Sequence, residues 1–156
     1  MDLLDLAGVE PDADYAASFD RLLALQTSPR GSFALLDEAC LMAAVGDHGA
    51  SFHASARAAC QRPHDPSVLL AHAQACLRLA LRRAGVLPGR DGAAWASCQD
   101  LLLRAHRFAA RAVREEPARA KARRLVSALE ELLEGVPEAL VGQRLASALH
   151  AGRTPR

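Results

Sequence analysis

The residues of this 156-residue chain best suited to metal or nucleophilic chemistry are its six histidines and four cysteines, and their spacing argues against both uses. Asp47-His48 with His53, and His64-Asp65 with His72, are the groupings closest in sequence. Neither forms the His-x-x-x-His or Glu-x-x-His pattern that puts two ligands on one helical face. His48 and His53 point in different directions if both are helical, so solvent-exposed or locally bonded histidines are expected, His106 and His150 included. Cys40, Cys60, Cys76 and Cys98 include no Cys-x-x-Cys pair and are expected to be reduced thiols of an intracellular protein, a disulfide being the less favoured alternative.

Other catalytic patterns are also missing. Gly85 to Gly92 lacks the Lys-Ser/Thr ending, and the strand-to-helix context, of a phosphate-cradling loop. Glu115-Glu116 and Glu130-Glu131 are neighbours near helix ends, where adjacent carboxylates point into water instead of flanking a substrate. No enzymatic activity, metal or cofactor is expected. Arg104, Arg107, Arg111 and Arg114 recur at three to four residues and form one basic ridge on a helix. With almost no aromatic interleaving, a solvated face is the first expectation, an acidic peptide partner the second, and nucleic acid is not expected.

Net charge is only +1, yet residues 1–47 carry nine acids against Arg21 and Arg30, while residues 48–128 carry fourteen bases against five acids. Such an asymmetry can steer an acidic partner. Ala and Leu dominate a hydrophobic fraction of 51%, Ile and Asn are missing, and Lys121 is the only lysine. This composition predicts an all-α fold and suggests a GC-rich genome. A chain of this length suits one domain with a core of its own. The opening residues lack a charged-then-apolar leader, no run of eighteen uncharged apolar residues occurs, and the end Gly152–Arg156 offers no anchor. A soluble, cytoplasmic protein is expected.

Caps and breakers place the elements. Residues 1–12 form an N-terminal segment, 13–150 a helical domain and 151–156 a tail. Tyr15, Phe19, Leu22 and Leu23 make the first stripe, after Asp12 or Asp14 as cap. Ser32 caps a segment to Ala44 that is expected to run on, with a kink, past Gly49 toward Cys60. Asp65-Pro66 is an N-cap and first-turn pair for a helix with Leu69, Leu70, Ala73, Cys76, Leu77, Ala80 and Leu81 on one face. After the Gly85–Arg90 loop, Asp91 is expected to cap a long segment through Trp95, Cys98, Leu101, Leu102, Ala105, Ala109 and Val113, whose length and small residues suit a central helix. Pro117 restarts the chain before Leu125, Val126, Leu129, Leu132 and Leu133, Gly135 stops it, and Pro137 opens a last helix with Leu140, Val141, Leu145 and Leu149. A single compact bundle of six to seven helices around a central helix follows.

Gly46-Asp47 inside a helical run is locally unfavourable, since glycine costs ~1 kcal/mol against alanine there. Preceded by Leu41, Met42-Ala43-Ala44-Val45-Gly46-Asp47 resembles the third Bcl-homology motif of the Bcl-2 family. Arg90-Asp91-Gly92-Ala93-Ala94-Trp95 resembles the entry to the first Bcl-homology motif, with Ala94, Ala96 and Ser97 where the family usually has Asn and Gly-Arg around the Trp. The order and spacing of the two agree with that family over roughly residues 13–150.

The resemblance implies a Bcl-2-like bundle, in a divergent and viral form, that sequesters pro-death amphipathic helices in an apolar groove and restrains apoptosis. Val45, Phe52, Leu77, Leu81, Trp95 and Leu102 would line that groove, and Arg78 or Arg104 would replace the absent pairing arginine. Two alternatives stand beside it: a viral adaptor of host signalling proteins that has lost the groove, and a tetratricopeptide-like module suggested by Phe108–Val113 running into Pro117. A homodimer is compatible with each.

Overall fold

In the computed structural model, residues 3–9, 17, 20, 32–90, 97–134, 144 and 147 are described. Six helices are defined among them: α1 (Leu3–Leu6), α2 (Ser32–Ala44), α3 (His48–Gln61), α4 (Pro66–Arg83), α5 (Cys98–Glu115) and α6 (Ala120–Leu133). No strand occurs among the described residues, apart from one isolated backbone bridge. Trp95, Asp91, Gly92, the stripe residues Tyr15, Phe19, Leu22 and Leu23, Gly135 and the helix expected after Pro137 lie outside the described residues, save that Ala17, Asp20, Arg144 and Ser147 are helical.

Each boundary has a local cause. Asp65 caps α4 by accepting from the Ser67 and Val68 amides at 2.9 and 3.4 Å, with Pro66 supplying a preset first turn. Ser97 caps α5 by accepting from the Asp100 amide at 3.1 Å. That cap corrects the expectation that Asp91 opens this helix: α5 begins at Cys98.

Gly46-Asp47 is likewise not helical. Gly46 (φ +84°) ends α2, its amide donating to Ala43 O at 3.0 Å while Asp47 N donates to Met42 O at 2.8 Å, the paired bonds of a Schellman ending. Asp47 then caps α3, accepting from the Ala50 amide at 3.0 Å. The unfavourable pair is explained by the break: one residue stops a helix and the next starts another, so α2 and α3 are separate helices and not one kinked segment.

The helix shielded from water is α4, twelve of whose eighteen residues are buried, against five of eighteen in α5. This corrects the expectation of a central helix following Trp95. α4 packs on α2, α3 and α5, α5 on α6, and α1 reaches α6. Ala73, Ala80, Ala105, Ala109 and Ala112 are all fully buried in one cluster with Leu69, Leu77, Leu81, Leu102, Leu125 and Leu129. Small residues of this kind let helix axes approach closely. Each leucine so buried contributes about 1.5–3 kcal/mol relative to exposure.

The loop after α4 returns to the α2–α3 junction. Arg90 N donates to Gly46 O at 2.7 Å and His48 N to Arg90 O at 2.9 Å. A Cβ built on Gly89 (φ +124°) would lie 2.2 Å from Gly46 O, so only glycine fits there. Gly89→Ala is expected to destabilise the fold by about 1–3 kcal/mol, and by clearly more than Gly85→Ala, whose Cβ would meet nothing within 4 Å. Urea unfolding followed by circular dichroism checks this; equal midpoints for the two variants would contradict the close approach.

Candidate functional site

Polar groups on the buried helix are the natural place to look for chemistry. His72 of α4 is fully buried. Arg104 of α5 donates from Nε to His72 Nε2 at 2.9 Å, so that nitrogen accepts and the proton sits on Nδ1, which donates to Ser55 Oγ at 2.8 Å. Ser55 Oγ in turn donates to Phe52 O at 2.9 Å. Cys76 Sγ, one turn along α4, lies 3.6 Å from His72 Nε2. Phe52 and Phe108 flank the imidazole, with ring centroids at 5.3 and 4.5 Å.

Serine, histidine, cysteine and arginine in contact suggest a nucleophile with its base, but the environment forbids it. Burial, and secondarily the Arg104 charge, hold His72 far below the usual imidazole range, at about 3, too low for a general base near neutrality. Burial pushes the Cys76 thiol up to about 12, against the opposing pull of Arg104, so the nucleophilic thiolate is not formed. The cluster is a structural hydrogen-bond chain. His48, also buried, donates from Nε2 to Pro88 O at 3.1 Å while Nδ1 lacks a partner; burial lowers its pKa too. Of the expected solvent-exposed or locally bonded imidazoles, these two are bonded and not exposed, with most of their partners distant in sequence. Among the described residues, no three His, Cys, Asp or Glu side chains are grouped to hold a metal ion.

A second buried polar knot surrounds Arg78, which is 6% exposed and donates from Nη1 to Ala7 O at 2.7 Å and from Nη2 to Ser51 Oγ at 3.1 Å. Ser51 donates onward to Ala39 O at 2.7 Å. Burial lowers the Arg78 pKa, and no carboxylate pairs with it among the described residues. The N-terminal segment, for which no packing partner is expected from the sequence, thus docks on α4 through Ala7. Leu3 and Leu6 three apart before Gly8 were the available signal.

The residues expected to line a groove are placed as follows. Leu77, Leu81 and Leu102 are fully buried between α4 and α5, which corrects the expectation that they face an open cleft. Val45 and Met42 are half-buried at the end of α2, and Arg90 is exposed in its loop. Phe52 and Arg104 are brought together, the guanidinium lying 5.5 Å from the Phe52 centroid and 5.1 Å from that of Phe108. Arg111 covers Phe108 as well, at 5.1 Å, and donates to Pro63 O at 2.8 Å. The basic ridge is thus interleaved with aromatics after all, Phe52 arriving from α3. Arg107 and Arg114 complete the ridge and are exposed, beside Leu103 at 46% exposure, the one large hydrophobic exposed to that extent among the described residues.

No protein-family model, curated protein or solved structure matches the chain. No described helix is long and apolar enough to cross a membrane.

Because His72 is neutral when folded, stability is complete above the unfolded value near 6.5 and is lost as pH falls from there toward about 3. About 2 kcal/mol should be gone by pH 5. His72→Gln, which cannot titrate, is expected to flatten the stability slope between pH 6 and 4 by about 1.4 kcal/mol per pH unit; His48 contributes equally to both proteins. Identical slopes in urea titrations would contradict a buried neutral His72.

Proposed function

We propose that the chain is a non-enzymatic helical adaptor that binds an acidic partner protein on the outer face of α5, without opening a peptide groove. The observation that carries this reading is the Arg–Phe stack. Arg104 and Arg111 are held over Phe108, so two of the four guanidinium groups of the ridge are positioned before a partner arrives, which cuts the entropy lost on binding. Arg107 and Arg114 supply exposed charge beside Leu103, an apolar contact for an amphipathic acidic helix.

The resemblance to the Bcl-2 family admits both a groove binder of pro-death helices and an adaptor without a groove. The sealed positions of Leu77, Leu81 and Leu102 favour the adaptor, since a ligand would reach them only if α4 and α5 parted. Fluorescence anisotropy with a labelled amphipathic peptide, glutamates on one face and leucines at i, i+4 on the other, tests the proposal. Saturable binding that weakens with salt, and at least about tenfold on the double change Arg107→Glu with Arg114→Glu, is expected. Binding insensitive to both, or tighter binding of peptides bearing the third Bcl-homology motif or of an RNA duplex, would overturn it.

A further inference from the structure

Leu3–Val9 has the properties of a bound ligand more than of a founding element of the fold. Its helix spans four residues, far short of independent stability, so it forms only where it docks. Leu3, Leu6 and Ala7 are buried while Asp5 is exposed. Two side chains one turn apart on α4 grip its end: Gln74 Nε2 donates to Leu6 O at 3.0 Å and Arg78 Nη1 to Ala7 O at 2.7 Å. Both take backbone oxygens at a helix C-terminus, the negative end of the helix dipole. Among the described residues the buried Arg78 cation nevertheless meets only neutral oxygens, Ala7 O and Ser51 Oγ, and its Nε has no partner. A Cβ on Gly8 would meet Arg78 Nη1 at 3.2 Å, so the chain leaves the site through a residue with no side chain to crowd the guanidinium.

We propose that Leu3–Val9 is an in-cis ligand of a peptide site built on Arg78 and Gln74, and that the site accepts in its place the carboxyl-terminal end of a partner protein, with leucines three apart before a free α-carboxylate. The site reads backbone oxygens, so the group that would neutralise Arg78 is a backbone group: a terminal carboxylate where Ala7 O now lies. A ligand ending there has no following residue to fit past Arg78. The inference uses none of the α5 ridge residues.

The test compares N-terminally labelled Leu-Leu-Asp-Leu-Ala as free acid and as C-terminal amide, on the full chain and on its Leu6→Glu variant, whose helix content is verified. Release of the in-cis segment is expected to tighten free-acid binding at least tenfold, and amidation to weaken it at least tenfold. In the unaltered chain, excess free-acid peptide is expected to speed hydrogen exchange of residues 3–9, and the amide to leave it unchanged. Equal binding of acid and amide, or exchange at residues 3–9 unaffected by saturating acid peptide, would overturn the proposal whether or not the variant folds.

Discussion

His72 and Arg78 both lie on α4, out of reach of water, and the arrangement of the other helices follows from satisfying them. Leaving either group unpaired costs about 1–3 kcal/mol or more, a large share of the stability of a domain this size. Ser55 and Ser51, one turn apart on α3, receive His72 and Arg78 respectively. That double contact fixes the register of α3 on α4, because sliding either helix strands both donors at once. Arg104 brings α5 to the same imidazole, Ser51 ties in α2 through Ala39 O, and Ala7 O brings in the segment after α1. Apolar burial supplies most of the driving force, but it is non-directional. The polar contacts select one packing among many.

The same burial silences groups that would otherwise do chemistry. An imidazole at about 3 and a thiol at about 12 are inert near neutrality. His72 and Cys76 therefore serve the frame, while the outer face of α5 carries the aromatic-braced ridge. Arg104 belongs to both, its Nε closing the buried chain while its guanidinium carbon stays within 5.5 Å of the Phe52 centroid and 5.1 Å of that of Phe108. Through that residue the stiffness of the interior reaches the outer face.

Much of the fold was legible in the sequence where a local rule acts alone. Asp65-Pro66 opens α4 as its cap chemistry requires, and Leu125, Leu129 and Leu132 of α6 are buried as their spacing predicts. The identity of the central helix was not. Its apolar stripe suggested one wet face, but Ala75, Leu79, His72 and Arg78 bury the remainder, and a histidine or arginine reads as polar until its partners are known. The clean amphipathicity of α5, with arginines on one side, marks a helix that keeps a face in water, so the ridge itself argued against a central place. Gly46-Asp47 showed a similar ambiguity, since Gly followed by Asp both interrupts one helix and joins two. Of the surface site, the arginines were visible from their spacing, whereas Phe108 stood out only in the tetratricopeptide-like stretch Phe108–Val113 and not as their aromatic support. Phe52 was not visible as a ridge partner, because its contact with Arg104 spans two helices.

Native-state hydrogen exchange resolved by residue tests most directly the claim that α4 is the organising element. Amides from Leu69 to Leu81 are expected to exchange only through global unfolding, with free energies matching that from urea, while residues 3–9 open at a fraction of that cost. Protection centred on α5 instead, with α4 exchanging through low-energy local openings, would contradict the account.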